Sequence, residues 1–145
     1  MKQEREITLQ QALERLMLLC SKAERCTGDV SRLLWRWRIP QEAHEGIIEK
    51  LRRDRYLDDA RYVRAYVRDK LRYSGWGERK IVDALAQKHL DRELVRSILV
   101  EEFDPERMRD KAERALERKA GTIRYANGYE LKNKLIRFGL SRGYD

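Results

Sequence analysis

Apolar residues recur along this chain every three to four positions and almost nowhere at every second one, a pattern that predicts helices rather than strands. Thr8 stands ahead of Leu9, Ala12, Leu13, Leu16, Leu19 and Cys20, so a first amphipathic helix with Thr8 as its N-cap is expected. Thr27-Gly28-Asp29 interrupts it, and Asp29 is expected to cap a second, shorter helix. That helix carries Val30, Leu33, Leu34 and Trp37 at helical spacing. Pro40 suits the first turn of a third, with Ala43, Ile47, Ile48 and Leu51 inward. After Tyr56-Leu57 the pattern starts again. Asp58 or Asp59 is expected to cap a fourth helix that runs to about Tyr73 and ends at Ser74-Gly75-Trp76-Gly77. A fifth is expected from Glu78 to Lys88 with Ile81, Val82 and Leu85 inward, and a sixth after Asp91 with Leu94, Val95, Ile98 and Leu99 inward. Asp104-Pro105 opens a seventh with Met108, Ala112, Ala115 and Leu116. An eighth spans about Gly128 to Phe138 with Leu131, Leu135 and Ile136.

These segments repeat. Val30, Leu34 and Ile39 match Ile81, Leu85 and Leu90, and these match Leu131, Leu135 and Leu140; a helix-start residue (Pro40, Asp91, Ser141) follows each set. Ile47-Ile48 aligns with Ile98-Leu99 in the same way. A period of about fifty residues signals a helical array. The expected fold is therefore all-α, with tandem three-helix repeats in an elongated curved array. The expected units are residues 1–57, 58–103 and 104–145. Ser141 reads as the N-cap of a ninth helix for which the chain has no length, so the third repeat is expected to lack its last helix.

Composition supports this reading. Charged residues make up 40% of the 145 positions and hydrophobic ones 41%, which suits helices with one buried stripe and a charged remainder. No stretch is long and apolar enough to span a bilayer, and the charged start, Met1 to Glu6, has no signal core behind it. A soluble cytoplasmic monomer is expected. The two cysteines, Cys20 and Cys26, are too few to hold zinc and read as small apolar residues in a reducing compartment.

Charge narrows the function. Lys and Arg number 33 against 25 Asp and Glu, a net +8, a field suited to a polyanion or an acidic protein surface. The surplus is uneven, with nine basic and four acidic residues between Lys50 and Arg72. Catalytic signals are missing: His44 and His89 have no ligand or triad partners at useful spacing, and Gly75-Trp76-Gly77 lacks the residues of a phosphate loop. Asp58-Asp59 reads as a helix cap rather than a metal pair. No enzyme activity, metal site or cofactor is expected.

Binding signals are present. At about 100° per residue, Arg61, Arg64, Arg68 and Arg72 fall on one stripe of the fourth helix, beside an inward face of Ala60, Val63, Val67 and Leu71, with Tyr62, Tyr66 and Tyr73 on its far side. Asp69 is the one acid within that helix after its cap. Four guanidinium groups in register make a rail for phosphates or carboxylates. Trp76, between two glycines, is either a stacking or interface anchor or is buried against a neighbouring unit. Arg79 and Lys80 oppose the dipole at the start of the fifth helix and imply an anion or acidic group nearby. Trp35 is expected to point away from Trp37, among Arg32, Arg36 and Arg38.

The string Tyr56-Leu57-Asp58-Asp59-Ala60-Arg61-Tyr62, continued by Arg64-Ala65-Tyr66-Val67-Arg68, Gly75-Trp76-Gly77, Arg79-Lys80-Ile81, Leu85, Lys88 and Leu90, resembles the RecX family of regulators of the RecA recombinase. Ala23, Arg25-Cys26 and Leu33-Leu34 extend the likeness. The resemblance implies a non-enzymatic, all-helical protein of three-helix repeats that docks in the groove of the RecA filament on single-stranded DNA. There it would restrain ATP hydrolysis, strand exchange and co-protease activity. On this reading Arg61, Arg64, Arg68 and Arg72 contact the filament or its DNA backbone, and Trp76, Arg79 and Lys80 extend that contact. Two positions depart from the family pattern: Arg55 and His89 stand where glycine is common. The alternative is a helical module that binds DNA non-specifically without RecA; the second helices carry too few base-reading side chains for sequence-specific recognition.

Overall fold

The computed structural model describes residues 6–144; Met1–Arg5 and Asp145 lie outside the described residues, among them most of the charged N-terminal stretch. Eight helices and no strand are found among the described residues. They are α1 (Leu9–Lys22), α2 (Thr27–Arg36), α3 (Gln41–Arg53), α4 (Asp59–Arg72), α5 (Glu78–Ala86), α6 (Arg92–Glu102), α7 (Pro105–Ala120) and α8 (Gly128–Ser141).

Local chemistry sets most of the boundaries. Thr8 and Gln11 form a reciprocal capping box on α1, with bonds of 3.0 and 2.9 Å. Asp58, Asp91, Asp104 and Asn127 each accept from backbone N–H groups at the starts of α4, α6, α7 and α8. Two expected caps move. Helix α2 begins two residues before Asp29, which sits in the first turn and bonds back to the N–H of Cys26. Ser141 opens no ninth helix. It is the last residue of α8 and donates its hydroxyl back to the Phe138 carbonyl. Gly143, at φ +89°, then turns the chain so that Tyr144 N–H reaches the Gly139 carbonyl at 3.0 Å.

Each of the first two units has its own core. In the first, α1–α3 enclose Leu16, Val30, Leu34, Leu51 and Leu57, with Trp37 packed at the edge. In the second, α4–α6 enclose Val63, Val67, Ile81, Leu85 and Leu99. Ile47-Ile48 and Ile98-Leu99 are buried at matching positions. The third segment differs. Helices α7 and α8 pack as a hairpin in which α7 buries no residue and α8 only Gly139. Leu116, Leu131, Leu135, Ile136, Leu140 and Tyr144 line an open apolar hollow of about 490 Å³. The hairpin leans on the second core through Met108 of α7.

The total surface of 10734 Å² exceeds the roughly 7,900 Å² of a compact monomer of this mass, as expected of units in a row rather than one ball. The join between the first two is nevertheless tight. Cys26, at the entrance to α2, is fully buried in the second core. Thr27 donates through its backbone N–H (2.7 Å) and hydroxyl to Asp59 of α4. Lys88 pairs with Asp29 at 3.1 Å. Gly28 lies so near the Lys88 carbonyl that a Cβ would come within 2.6 Å of it.

Candidate partner-binding surface

The arginine stripe forms as its spacing predicts, but tertiary packing occupies most of it. Helix α6 crosses α4 and brings Glu101 and Glu102 alongside. Arg64 pairs with Glu101 at 3.1 Å and Arg68 with Glu102 at 2.8 Å. The Arg68 hydrogen bond holds the Glu102 carboxyl below the usual glutamate range, against a smaller upward push from burial. Arg61 is half-buried: it pairs with Glu24, before α2, at 2.7 Å and donates to the carbonyls of Arg55 and Tyr56. It ties the first unit to the second. Arg72 has no ion pair among the described residues. It lies beside Lys111 of α7, whose ammonium caps α4 through the carbonyls of Leu71 (2.6 Å) and Arg72 (3.1 Å). Burial, then Arg107 and Arg72, hold the Lys111 pKa below its ordinary value.

The tyrosines behave differently from a surface row. Tyr62 is 7% exposed and part of the second core, whereas Tyr73 is 85% exposed. Tyr66 stacks on Tyr62 with centroids 6.0 Å apart and meets Trp76 edge-on at 6.4 Å. Trp76 is half-buried against that core and gripped by two ammonium groups, Lys70 at 4.6 Å and Lys80 at 4.4 Å from its ring centroid. The glycines beside it serve packing. Gly75 supplies the left-handed turn at φ +65°. Gly77 leaves room for the C-terminal turn, whose Arg142 carbonyl accepts its N–H at 2.7 Å, while Tyr144 donates its hydroxyl to Gly75. The start of α5 therefore already has an acceptor from the chain itself. Arg79 remains exposed with no ion pair among the described residues.

In the first unit Trp37 faces the core and Trp35, 55% exposed, faces out. Arg36 is exposed beside it. The structure brings Trp76 and Lys80 together and leaves Trp35 and Arg36 on a different unit. Sequence reasoning overlooked Lys70, whose i+4 spacing from Tyr66 is the signal that would have found it. It also overlooked Lys111, which no local pattern ties to α4.

Among the described residues no group of three or more His, Cys, Asp and Glu side chains is placed to hold a metal ion, and no helix is long and apolar enough to cross a membrane. Burial raises the thiol pKa of both cysteines.

Comparison with known proteins fits this architecture. The family described as RecX, second three-helix domain, matches residues 58–99, which span α4, α5 and most of α6. The regulatory protein RecX of Finegoldia magna is 33% identical over 104 residues, covering 71% of this chain and 51% of that protein. That of Clostridium perfringens is 34% identical over 100 residues, covering 68% and 46%. The chain thus spans about half the length of these relatives. A crystal structure of regulatory protein RecX superposes with TM-score 0.87 at 23% identity, over 94% of this chain and 68% of that one. The RecX structure from Lactobacillus salivarius superposes with TM-score 0.83 at 20% identity, over 94% and 88%; these two show the shared fold. With the second-unit domain, relatives at about one-third identity and the helical architecture in agreement, the chain belongs to the RecX family.

Proposed function

We propose that this protein is a regulator that binds the RecA filament on single-stranded DNA and restrains its ATP hydrolysis, strand exchange and co-protease activity. It acts by occupancy of the filament groove rather than by chemistry. Membership of a family whose relatives are regulatory proteins supports the reading. The observation that carries the binding face is the cation surplus around the α4–α5 turn. There Arg72, Arg79 and Lys80 have no carboxylate partner within 4.0 Å among the described residues, while Arg61, Arg64 and Arg68 are held by acids of the chain itself. Guanidinium and ammonium groups left unpaired at a surface suit phosphates or the carboxylates of a partner. Trp76, already clasped by Lys70 and Lys80, stiffens that surface. Arg64 and Arg68 are half-exposed beyond their ion pairs and flank it.

The test is ATP hydrolysis by the cognate RecA on single-stranded DNA as this protein is titrated in. The expected result is inhibition that is lost when Arg72, Arg79 and Lys80 are changed together to Ala in a variant that keeps its helical circular dichroism. Inhibition that survives those changes moves the face elsewhere. No inhibition by the parent protein overturns the filament reading.

A further inference from the structure

The outer face of α2 presents a set of groups that the second-unit surface does not use. Arg32, Trp35 and Arg36 stand at i, i+3 and i+4 and therefore share one face; all three are exposed. Arg38 follows just past the helix, exposed and in the left-handed region at φ 57°. None of these arginines has an ion pair among the described residues, in contrast to the three engaged arginines of α4.

The indole among them is held in place. Trp35 meets the ring of His44 edge-on, with centroids 4.8 Å apart and planes at 76°. His44 is itself buried, and its Nε2 lies 2.8 Å from the Ile39 carbonyl. An edge contact fixes the indole while leaving more than half of its surface to solvent. Arg32 and Trp35 also form one wall of an open groove of about 730 Å³ that continues across the unit boundary to Lys88 and His89. The two carboxylates in that groove are spent internally: Asp59 accepts from Thr27 and Asp91 caps α6. Arg52 and Lys88 of that groove are held by Glu49 and Asp29, so Arg32 is its unpaired basic side chain among the described residues, beside a supported, exposed aromatic plane.

We propose that this face of α2 is a binding site for single-stranded nucleic acid, with an unpaired base stacked on Trp35 and the flanking phosphates held by Arg32, Arg36 and Arg38. A guanidinium set alone would fit any polyanion, and an acidic protein would satisfy it. A rigid indole with an open face among those cations is the combination that single strands use, because every unpaired base offers a π-face and its backbone a charge on either side. Duplex DNA keeps its bases stacked inside and gains only the electrostatic part. The site lies on the first unit, and its DNA-binding measurement contains no RecA, so its failure and that of the filament reading are separate results.

The experiment is fluorescence anisotropy of a labelled oligothymidylate of about 16 nucleotides, near the largest site of one single-strand module, titrated with the whole chain over a series of salt concentrations. Trp35→Ala is expected to weaken binding about 5- to 150-fold, the effect of one stacked base, with the salt dependence unchanged. Trp35→Phe, which keeps an aromatic plane, is expected to recover part of the loss and controls for folding. Arg32→Ala and Arg36→Ala are each expected to lower the log–log salt slope by about 0.7. Duplex of the same length is expected to bind the parent and Trp35→Ala equally. The proposal is overturned if the parent does not bind the single strand, if Trp35→Ala binds it as the parent does, or if duplex and single strand lose affinity alike. A Trp35→Ala protein that keeps its DNA affinity but no longer affects RecA hydrolysis also overturns it and assigns the face to a protein partner.

Discussion

Three non-glycine residues lie in the left-handed region: Arg38 at φ 57°, Arg55 at 62° and His89 at 58°. Each follows a helix by two or three residues, at the turn where glycine is the ordinary choice. The family-pattern departures at Arg55 and His89 therefore leave the turn intact and load it with strain, which costs a side-chain-bearing residue about 1–2 kcal/mol. Arg55→Gly and His89→Gly are expected to stabilise the fold by up to about 1 kcal/mol each, part of the relief being offset by glycine's extra freedom in the unfolded chain. Urea unfolding followed by helical circular dichroism measures this, and a fall in midpoint in both variants would contradict it. The cysteines separate by burial at the same scale. Cys26 is 0% exposed, Cys20 half-buried, and burial pushes both thiols up. A chromogenic thiol reagent at about pH 8.5, the ordinary thiol range, is expected to modify Cys20 in the native protein and Cys26 only after denaturant is added.

At the scale of elements, the join between α2 and the second unit is the most constrained contact. Gly28→Ala would drive a methyl into the Lys88 carbonyl and is expected to destabilise by about 1–3 kcal/mol, as overpacking does. Gly46→Ala is the control: it sits within α3, and a methyl added there would have nothing within 4 Å. It is expected to stabilise by about 0.5–1 kcal/mol through helix propensity. The same join gives a pH dependence. Burial alone would raise the Asp29 pKa, but the Lys88 ammonium and the Cys26 N–H outweigh it and hold the carboxyl below its ordinary 3.8. A carboxyl depressed by folding contributes stability above its unfolded pKa and loses it as the pH falls through the folded one. Parent and Lys88→Met are thus expected to differ in urea midpoint at neutral pH and to converge as the pH drops well below 3.8. A gap that persists there would mean that Lys88 acts through Tyr62, over whose ring it also sits at 5.1 Å.

At the scale of the whole molecule, the arginine stripe of α4 divides by role. Arg61 spans two units through Glu24, Arg55 and Tyr56, so Arg61→Ala is expected to lower stability by about 1–3 kcal/mol through the loss of its charge-assisted bonds to all three at once. Arg68→Ala removes a half-exposed guanidinium from Glu102, which keeps Arg64 at 3.8 Å, and is expected to change stability by less than about 1 kcal/mol. Differential scanning calorimetry on the two variants separates these outcomes, and equal losses would refute the division. The helices, most of their caps and the paired cores of α1–α3 and α4–α6 were legible in the chain, because apolar spacing and capping chemistry act over three or four residues; the caps expected at Asp29 and Ser141 were not found there. Partners that come from far along the sequence were not. Nothing near Arg64 or Arg68 announces Glu101 and Glu102, which α6 delivers only by crossing α4. Nothing near Gly77 announces the Arg142 carbonyl. The sequence by itself determined an all-helical, cation-rich chain with family strings in its second unit. The tertiary structure alone decided which of those cations are neutralised within the fold and which, on α2 and around the α4–α5 turn, have no ion pair among the described residues, because ion pairing depends on distances of a few ångströms between segments that sequence spacing does not set.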